Sequence, residues 1–172
     1  PNIMPLFKKA IYEDSVYPKN NLKELSRPVI AFHSYKGGVG RTLSLIAFAQ
    51  AWTSIQDDPQ KNKLLIIDSD LEAPGLTLIQ GNLNETAFSY LDLLTLIQDN
   101  NSIEEIVSTA EALMGTLTLP IETSQQRVEH FFLPTYRYEQ QLFDLYASPQ
   151  TITISRNKEY ILAEVLSSLA AQ

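Results

Sequence analysis

"SYKGGVGRT" (residues 34–42) is the stretch whose reading decides the fold. It gathers Gly37, Gly38 and Gly40 between two apolar segments. Ahead of it, "PVIAFHSY" (28–35) holds a short apolar run, Val29 to Phe32, bounded by Pro28 and the glycines. That pattern predicts a strand buried on both faces. Behind it, "TLSLIAFAQAW" (42–52) is too long for a strand and apolar nearly all round, which predicts a helix covered on most sides. A glycine turn between strand and helix suits an anionic ligand. Backbone N–H groups at a helix N-terminus hold phosphate oxygens where the peptide dipoles point positive. Glycine is needed because a side chain would block the approach, and because several of these residues require φ > 0. Thr42, at the helix start, places a hydroxyl where it can ligate the Mg²⁺ of a nucleoside triphosphate.

The ordinary phosphate loop reads G-x-x-x-x-G-K-[ST]. Over residues 35–42 it finds Tyr35 in the first glycine's place and Arg41 in the lysine's, while Gly40 and Thr42 fit. A lysine is present, but at Lys36, at the start of the loop.

"KLLIID" (63–68) predicts a second buried strand, Leu64 to Ile67, ending in Asp68. Strand, turn, helix and strand make a βαβ unit, with a parallel sheet, a right-handed crossover and a ligand crevice at the carboxyl ends of the strands. Lys36 and Asp68 both fall at those ends. Further along, "FSYLDLLTLI" (88–97) reads as a helix. So does "NSIEEIVSTAEALMG" (101–115), with Ser102 and Glu105 as a capping box, an apolar stripe of Ile103, Ile106, Val107, Ala110 and Met114, and Gly115 as C-cap. "LTLPI" (117–121) contains Pro120 and is an edge strand or extended loop at best, whereas "VEHFFLP" (128–134) is a better strand. "NKEYILAEVLSSLAAQ" (157–172) reads as a helix with Ile161, Leu162, Val165, Leu166 and Leu169 on one side. Residues 1–27 read as a short helix or surface arm, and 28–172 as a single domain.

The net charge of −7 gives no general positive field for nucleic acid. There are no cysteines, so disulfides and thiolate chemistry are excluded, and His33 and His130 have no partner at metal-ligand spacing. His33 reads as a strand residue facing a helix, and Phe48 and Trp52 as packing residues. With no membrane-length apolar run and no signal-peptide pattern, the expectation is a soluble, cytoplasmic protein.

KGGVGRT resembles the deviant Walker A motif, K-G-G-x-[GT]-K-[ST], of the ParA/MinD-type ATPases, and more closely their KGGVGR branch. "IIDSDLEAPGL" (66–76) is similar to the D-x-D-x-x-x-P-G-L stretch of that branch, and "FFLPTYRYEQQ" (131–141) is faintly similar to its later strand and proline. The resemblance implies a P-loop NTPase-like three-layer sandwich with a mostly parallel sheet. It implies ATP and Mg²⁺ as ligands, held by Lys36, Gly37, Gly38, Val39, Gly40, Arg41 and Thr42, with Thr42 and Asp68 on the metal. Asp70 matches the carboxylate that positions the attacking water. Lys36 matches the lysine that reaches the phosphates of the other subunit in a nucleotide-sandwich homodimer.

Arg41 can neutralise phosphate oxygens, but its planar fork differs from a lysine's point charge, so slow hydrolysis is expected. No apolar run after residue 76 ends in aspartate as a Walker B strand would, which suggests that 28–172 is the N-terminal portion of a P-loop NTPase-like domain, incomplete at its C-terminus, in a longer protein. Such a switch would signal to a protein partner or a C-terminal effector domain. The alternatives are a nucleotide-binding module without turnover, and a phosphotransferase resembling the bacterial tyrosine kinases that share this loop. The eight tyrosines show no terminal cluster to favour the latter.

Overall fold

The computed structural model describes residues 29–81, 86–99, 102–114, 117–138, 141 and 159–171. In chain order they form α1 (Arg41–Ile55), β1 (Leu65–Ile67), α2 (Gly75–Gln80), α3 (Tyr90–Gln98), α4 (Ile103–Met114), β2 (Thr118–Glu122), β3 (Arg127–Leu133) and α5 (Glu159–Ala171). The expected N-terminal arm and the Gly115 cap lie outside the described residues. The fold is mixed α/β around a small three-stranded sheet of order β1-β3-β2.

The central strand is β3. It pairs in parallel with β1, Leu65 opposite Phe131 and Ile67 opposite Leu133, and antiparallel with β2, Thr118 opposite Phe131 and Glu122 opposite Arg127. The described sheet is therefore mixed, where a mostly parallel one was expected. β2 is an edge strand, as Pro120 requires, since proline has no N–H to give a second neighbour.

The predicted first strand is not there. Residues 29–34 form no ladder with any described strand, and Val29 and Ile30 are each 55% exposed. The apolar run expresses β propensity, but pairing is a tertiary matter, and the parallel partner of β1 comes from β3 instead. Phe32 packs instead on α1, its ring 5.7 Å from that of Phe48. His33 is exposed, edge-on to Tyr35 at 5.1 Å, and belongs to no described strand.

Alternation along the strands sends side chains to two layers. Leu65, Ile67 and Leu133 meet α3, α4 and α5 in a core built on Leu93, Ile97, Ile106, Ala110 and Val165. Ile66 and Phe132 point the other way, to Ala49 of α1, Leu76 of α2, and Leu119 and Ile121 of β2. The predicted stripes on α4 and α5 are the ones that pack. The Ser102–Glu105 box is formed, Ser102 N and Oγ donating to Glu105 Oε2 at 3.0 Å each and Glu105 N donating back to Ser102 Oγ at 3.2 Å. A second box, Ser89 with Asp92, opens α3, and Arg137 pairs with the Asp92 carboxylate at 2.9 Å, tying the segment after β3 to that helix.

α1 departs from expectation. Only Ala49 and Thr53 are buried along its length, and Leu43 and Ile55 are 72% and 73% exposed. A helix apolar all round has more apolar surface than one sheet face can cover.

Candidate functional site

The glycine turn is built as its composition demands. Gly38 (φ 71°) and Gly40 (φ 84°) take left-handed backbone that a β-carbon disfavours. Gly40 is the N-cap of α1 and its carbonyl accepts from Ser44 N at 2.8 Å. Having no side chain, it caps none of the first-turn N–H groups, which have no intrahelical acceptor. Residues 35–40 are all exposed, Lys36 and Val39 among them, so the turn's backbone is open to a ligand. Ser34 Oγ donates to the Lys36 carbonyl at 2.9 Å, which braces the start of the turn.

The structure brings the two motifs together. Arg41 NH2 donates to Asp70 Oδ2 at 2.6 Å, across 29 residues of chain, and Arg41 NH1 donates to the Ser34 carbonyl at 3.2 Å. The other Asp70 oxygen, Oδ1, accepts from Glu72 N at 3.2 Å and Ala73 N at 3.0 Å, so the carboxylate also shapes its own loop. One residue on from Arg41, Thr42 lies against Gly75: a β-carbon there would come within 2.5 Å of Thr42 Oγ1.

Asp68 and Asp70, paired as D-x-D in sequence, have different surroundings. Asp68 is buried, just past β1, with its N–H donating to Leu133 O at 3.0 Å. Its Oδ2 accepts from both Thr77 N and Thr77 Oγ1 at 2.9 Å, and Oδ1 accepts weakly from Asp70 N at 3.4 Å. Thr135 completes the cluster. Its hydroxyl donates to the Asp68 carbonyl at 2.8 Å, and its N–H donates to Thr77 Oγ1 at 2.9 Å. Sequence reasoning missed Thr77 and Thr135. A threonine inside an apolar run, or just after a strand-ending proline, gives no signal of its own.

No group of three metal-ligating side chains occurs among the described residues. The fit to Mg²⁺ therefore rests on oxygen donors shared with a ligand. A magnesium ion accompanying a nucleotide takes one or two protein oxygens and completes its shell with phosphate and water. Thr42 supplies a hydroxyl. Asp68 accepts three hydrogen bonds at a carboxylate with about four lone-pair sites, which leaves room for one bond from a metal-bound water. The residues fit a water-mediated role for Asp68.

Toward the C-terminal end of α1, away from the turn, His130 of β3 is fully buried. Its Nδ1 accepts from Leu64 N at 3.1 Å, so the ring hydrogen is on Nε2, which donates to Thr53 Oγ1 at 2.8 Å; Thr53 in turn donates to the Ala49 carbonyl at 2.7 Å. Burial above all, and then the nearby Lys63 charge, hold the His130 pKa below its ordinary value, with Glu129 opposing. The interaction anchors the helix that carries the turn.

The chain matches no protein-family model, no curated protein and no solved structure. No helix among the described residues is long and apolar enough to cross a membrane.

Proposed function

We propose that this chain binds a magnesium-bound nucleoside triphosphate, ATP, at the glycine turn and hydrolyses it slowly, as a nucleotide-dependent dimerisation switch of ParA/MinD type within a longer protein. The observation that carries this reading is the meeting of Arg41 with Asp70 at 2.6 Å. It joins the two stretches on which the resemblance rests, at the mouth of a turn whose glycines have the left-handed backbone an anion cradle needs. In this reading the N–H groups of Gly37 to Thr42 take the phosphates, and Thr42 Oγ1 and Asp68 hold Mg²⁺. Asp70 orients water, and the exposed Lys36 reaches the phosphates of a second copy.

A second reading, nucleotide binding without turnover, is favoured by the engagement of Asp70. One of its oxygens is taken by Arg41 and the other by two backbone N–H groups. A carboxylate so committed is poorly placed to orient water until Arg41 leaves it.

Mg²⁺ with ATP should raise the melting temperature, because a ligand that binds only the folded chain stabilises it by mass action. Gly40→Val should abolish the shift, but its positive φ would also strain the fold. Gly37→Val is the cleaner variant, since its φ is not positive and a β-carbon there meets nothing within 4 Å. A shift that survives Gly37→Val, or none in the unaltered chain, would refute the site. Phosphate release then separates the switch from the binding-only module, and sedimentation with Lys36→Ala tests the homodimer: nucleotide-dependent dimers should form with the unaltered chain and fail with the variant.

A further inference from the structure

Gly75 is the one described glycine on which another residue's side chain is seated. Its φ is not positive, so its backbone would accept any L-residue. What forbids a side chain is space: an ideal β-carbon would lie 2.5 Å from Thr42 Oγ1, 3.3 Å from its Cγ2 and 3.4 Å from its Cβ. Gly37, Gly38 and Gly40, in the turn itself, meet nothing within 4 Å. The constraint at Gly75 therefore comes from the first turn of α1.

We propose that Gly75 is a positioning residue whose bare Cα forms the seat of the Thr42 hydroxyl. The proposal rests on the reading above, in which that hydroxyl holds Mg²⁺. The stretch that carries Gly75 is fixed from both sides. Asp68 grips Thr77 through two hydrogen bonds at 2.9 Å, and Asp70, anchored to Glu72 N and Ala73 N, grips Arg41. Two consecutive residues of α1, Arg41 and Thr42, thus each touch the stretch, one by charge and one by shape. A threonine in a helix has two accessible χ1 rotamers. If residue 75 gained a methyl group, the least costly relief would be rotation of Thr42 about χ1, turning the hydroxyl away from its seat while the backbone stayed in place. The expected defect is in metal placement, with the fold retained.

The test measures ATP affinity by calorimetry with MgCl₂ and with EDTA, alongside ligand-free melting, for the unaltered chain, Gly75→Ala, Thr42→Ala and the double variant. Gly75→Ala should melt close to the unaltered chain, keep its metal-free ATP affinity, and lose the Mg²⁺-dependent gain by about tenfold or more, as removal of a group that orients a metal ligand does. The double variant should be no worse than Thr42→Ala alone, because the two changes act through one hydroxyl. A Gly75→Ala chain that keeps the full Mg²⁺ gain overturns the proposal. So does a Gly75→Ala chain that unfolds and is restored by Thr42→Ala, since the pair would then be a packing contact only. An unaltered chain that binds ATP without a Mg²⁺ effect overturns the role of Thr42 and this inference while leaving nucleotide binding standing. An unaltered chain that binds no ATP overturns the proposed function and this inference together.

Discussion

The two helical layers on the sheet are held very differently. On one side α3, α4 and α5 interlock through side chains with almost no exposure, Leu93, Ile106, Ala110 and Val165 among them. On the other side α1 buries only Ala49 and Thr53; Leu45 and Ile46 pack half-buried on the second apolar cluster, and polar bonds add to the contact, those of Thr53 with His130, Gln126 Nε2 with the Thr53 carbonyl, and Gln50 Nε2 with the Glu122 carbonyl. Burial of apolar surface supplies most of the stabilisation of a fold, so the stability resides in the first layer and the candidate site in the second. A weakly packed layer can shift when a ligand arrives. A densely packed one cannot do so without opening cavities.

The sharpest break of this contrast is in the dense layer. Ile106→Ala should cost about 2–5 kcal/mol, the range for deleting a fully buried aliphatic side chain, read as a lower denaturation midpoint with an unchanged slope. A cost under about 1 kcal/mol would mean that the α3–α4–α5 core is not where the stability lies.

Second in size is the anchor of α1. His130 is neutral in the fold, with its pKa below the ordinary 6.5, so the unfolded chain takes up the proton more readily than the folded one. Stability should thus be complete above pH 6.5 and fall as pH drops from there through the folded-state pKa. Protonation would place a hydrogen on Nδ1, facing Leu64 N–H. Denaturation midpoints at successive pH values should show this slope, and His130→Gln should remove most of it while lowering stability at neutral pH by about 1–3 kcal/mol, the cost of leaving buried partners unsatisfied. An equal slope in the variant would assign the pH dependence to other groups.

Ser89→Ala, which removes the N-cap of α3, should cost about 1 kcal/mol. The smallest effect belongs to α1: Leu43→Ala, at a side chain 72% exposed, should stay within about 0.5 kcal/mol of the unaltered chain. A large loss there would show that the outer face of α1 is covered in solution, and would erase the contrast between the layers.

What was legible in the sequence follows the same division. α4 and α5 announce themselves by apolar residues at helical spacing, and Ser102 and Glu105 by their capping pattern, because these signals are local. β1 and β3 are legible as apolar runs. Their neighbours are not: that β3 lies between β1 and β2 depends on contacts far apart in the chain. The 29–32 run looks as β-prone as β1 and pairs with nothing described, and the short helix α2 has too few residues to show a period. At the site, the positive φ of Gly38 and Gly40 was legible from residue type, whereas the contact of Arg41 with Asp70 was not. The different hydrogen-bond surroundings of Asp68 and Asp70 were not legible either. They depend on Thr77, Thr135 and Arg41, which come near the carboxylates only once the sheet has formed.

The central place of β3 bears on how the protein is made. Leu64 and His130, which bond across β1 and β3, are 66 residues apart. At a synthesis rate of 5–20 residues per second, the "LLII" segment leaves the ribosome roughly 3 to 13 s before its partner strand exists. During that interval α1 has neither His130 to hold Thr53 nor a completed sheet to lie on. The glycine turn is among the first described parts to be translated, yet the platform that fixes its helix is finished only with β3. Nascent chains that have emerged from the ribosome to a point between residues 80 and 130 should therefore carry the whole turn and the D-x-D stretch without a formed site, exposed to chaperones in the meantime.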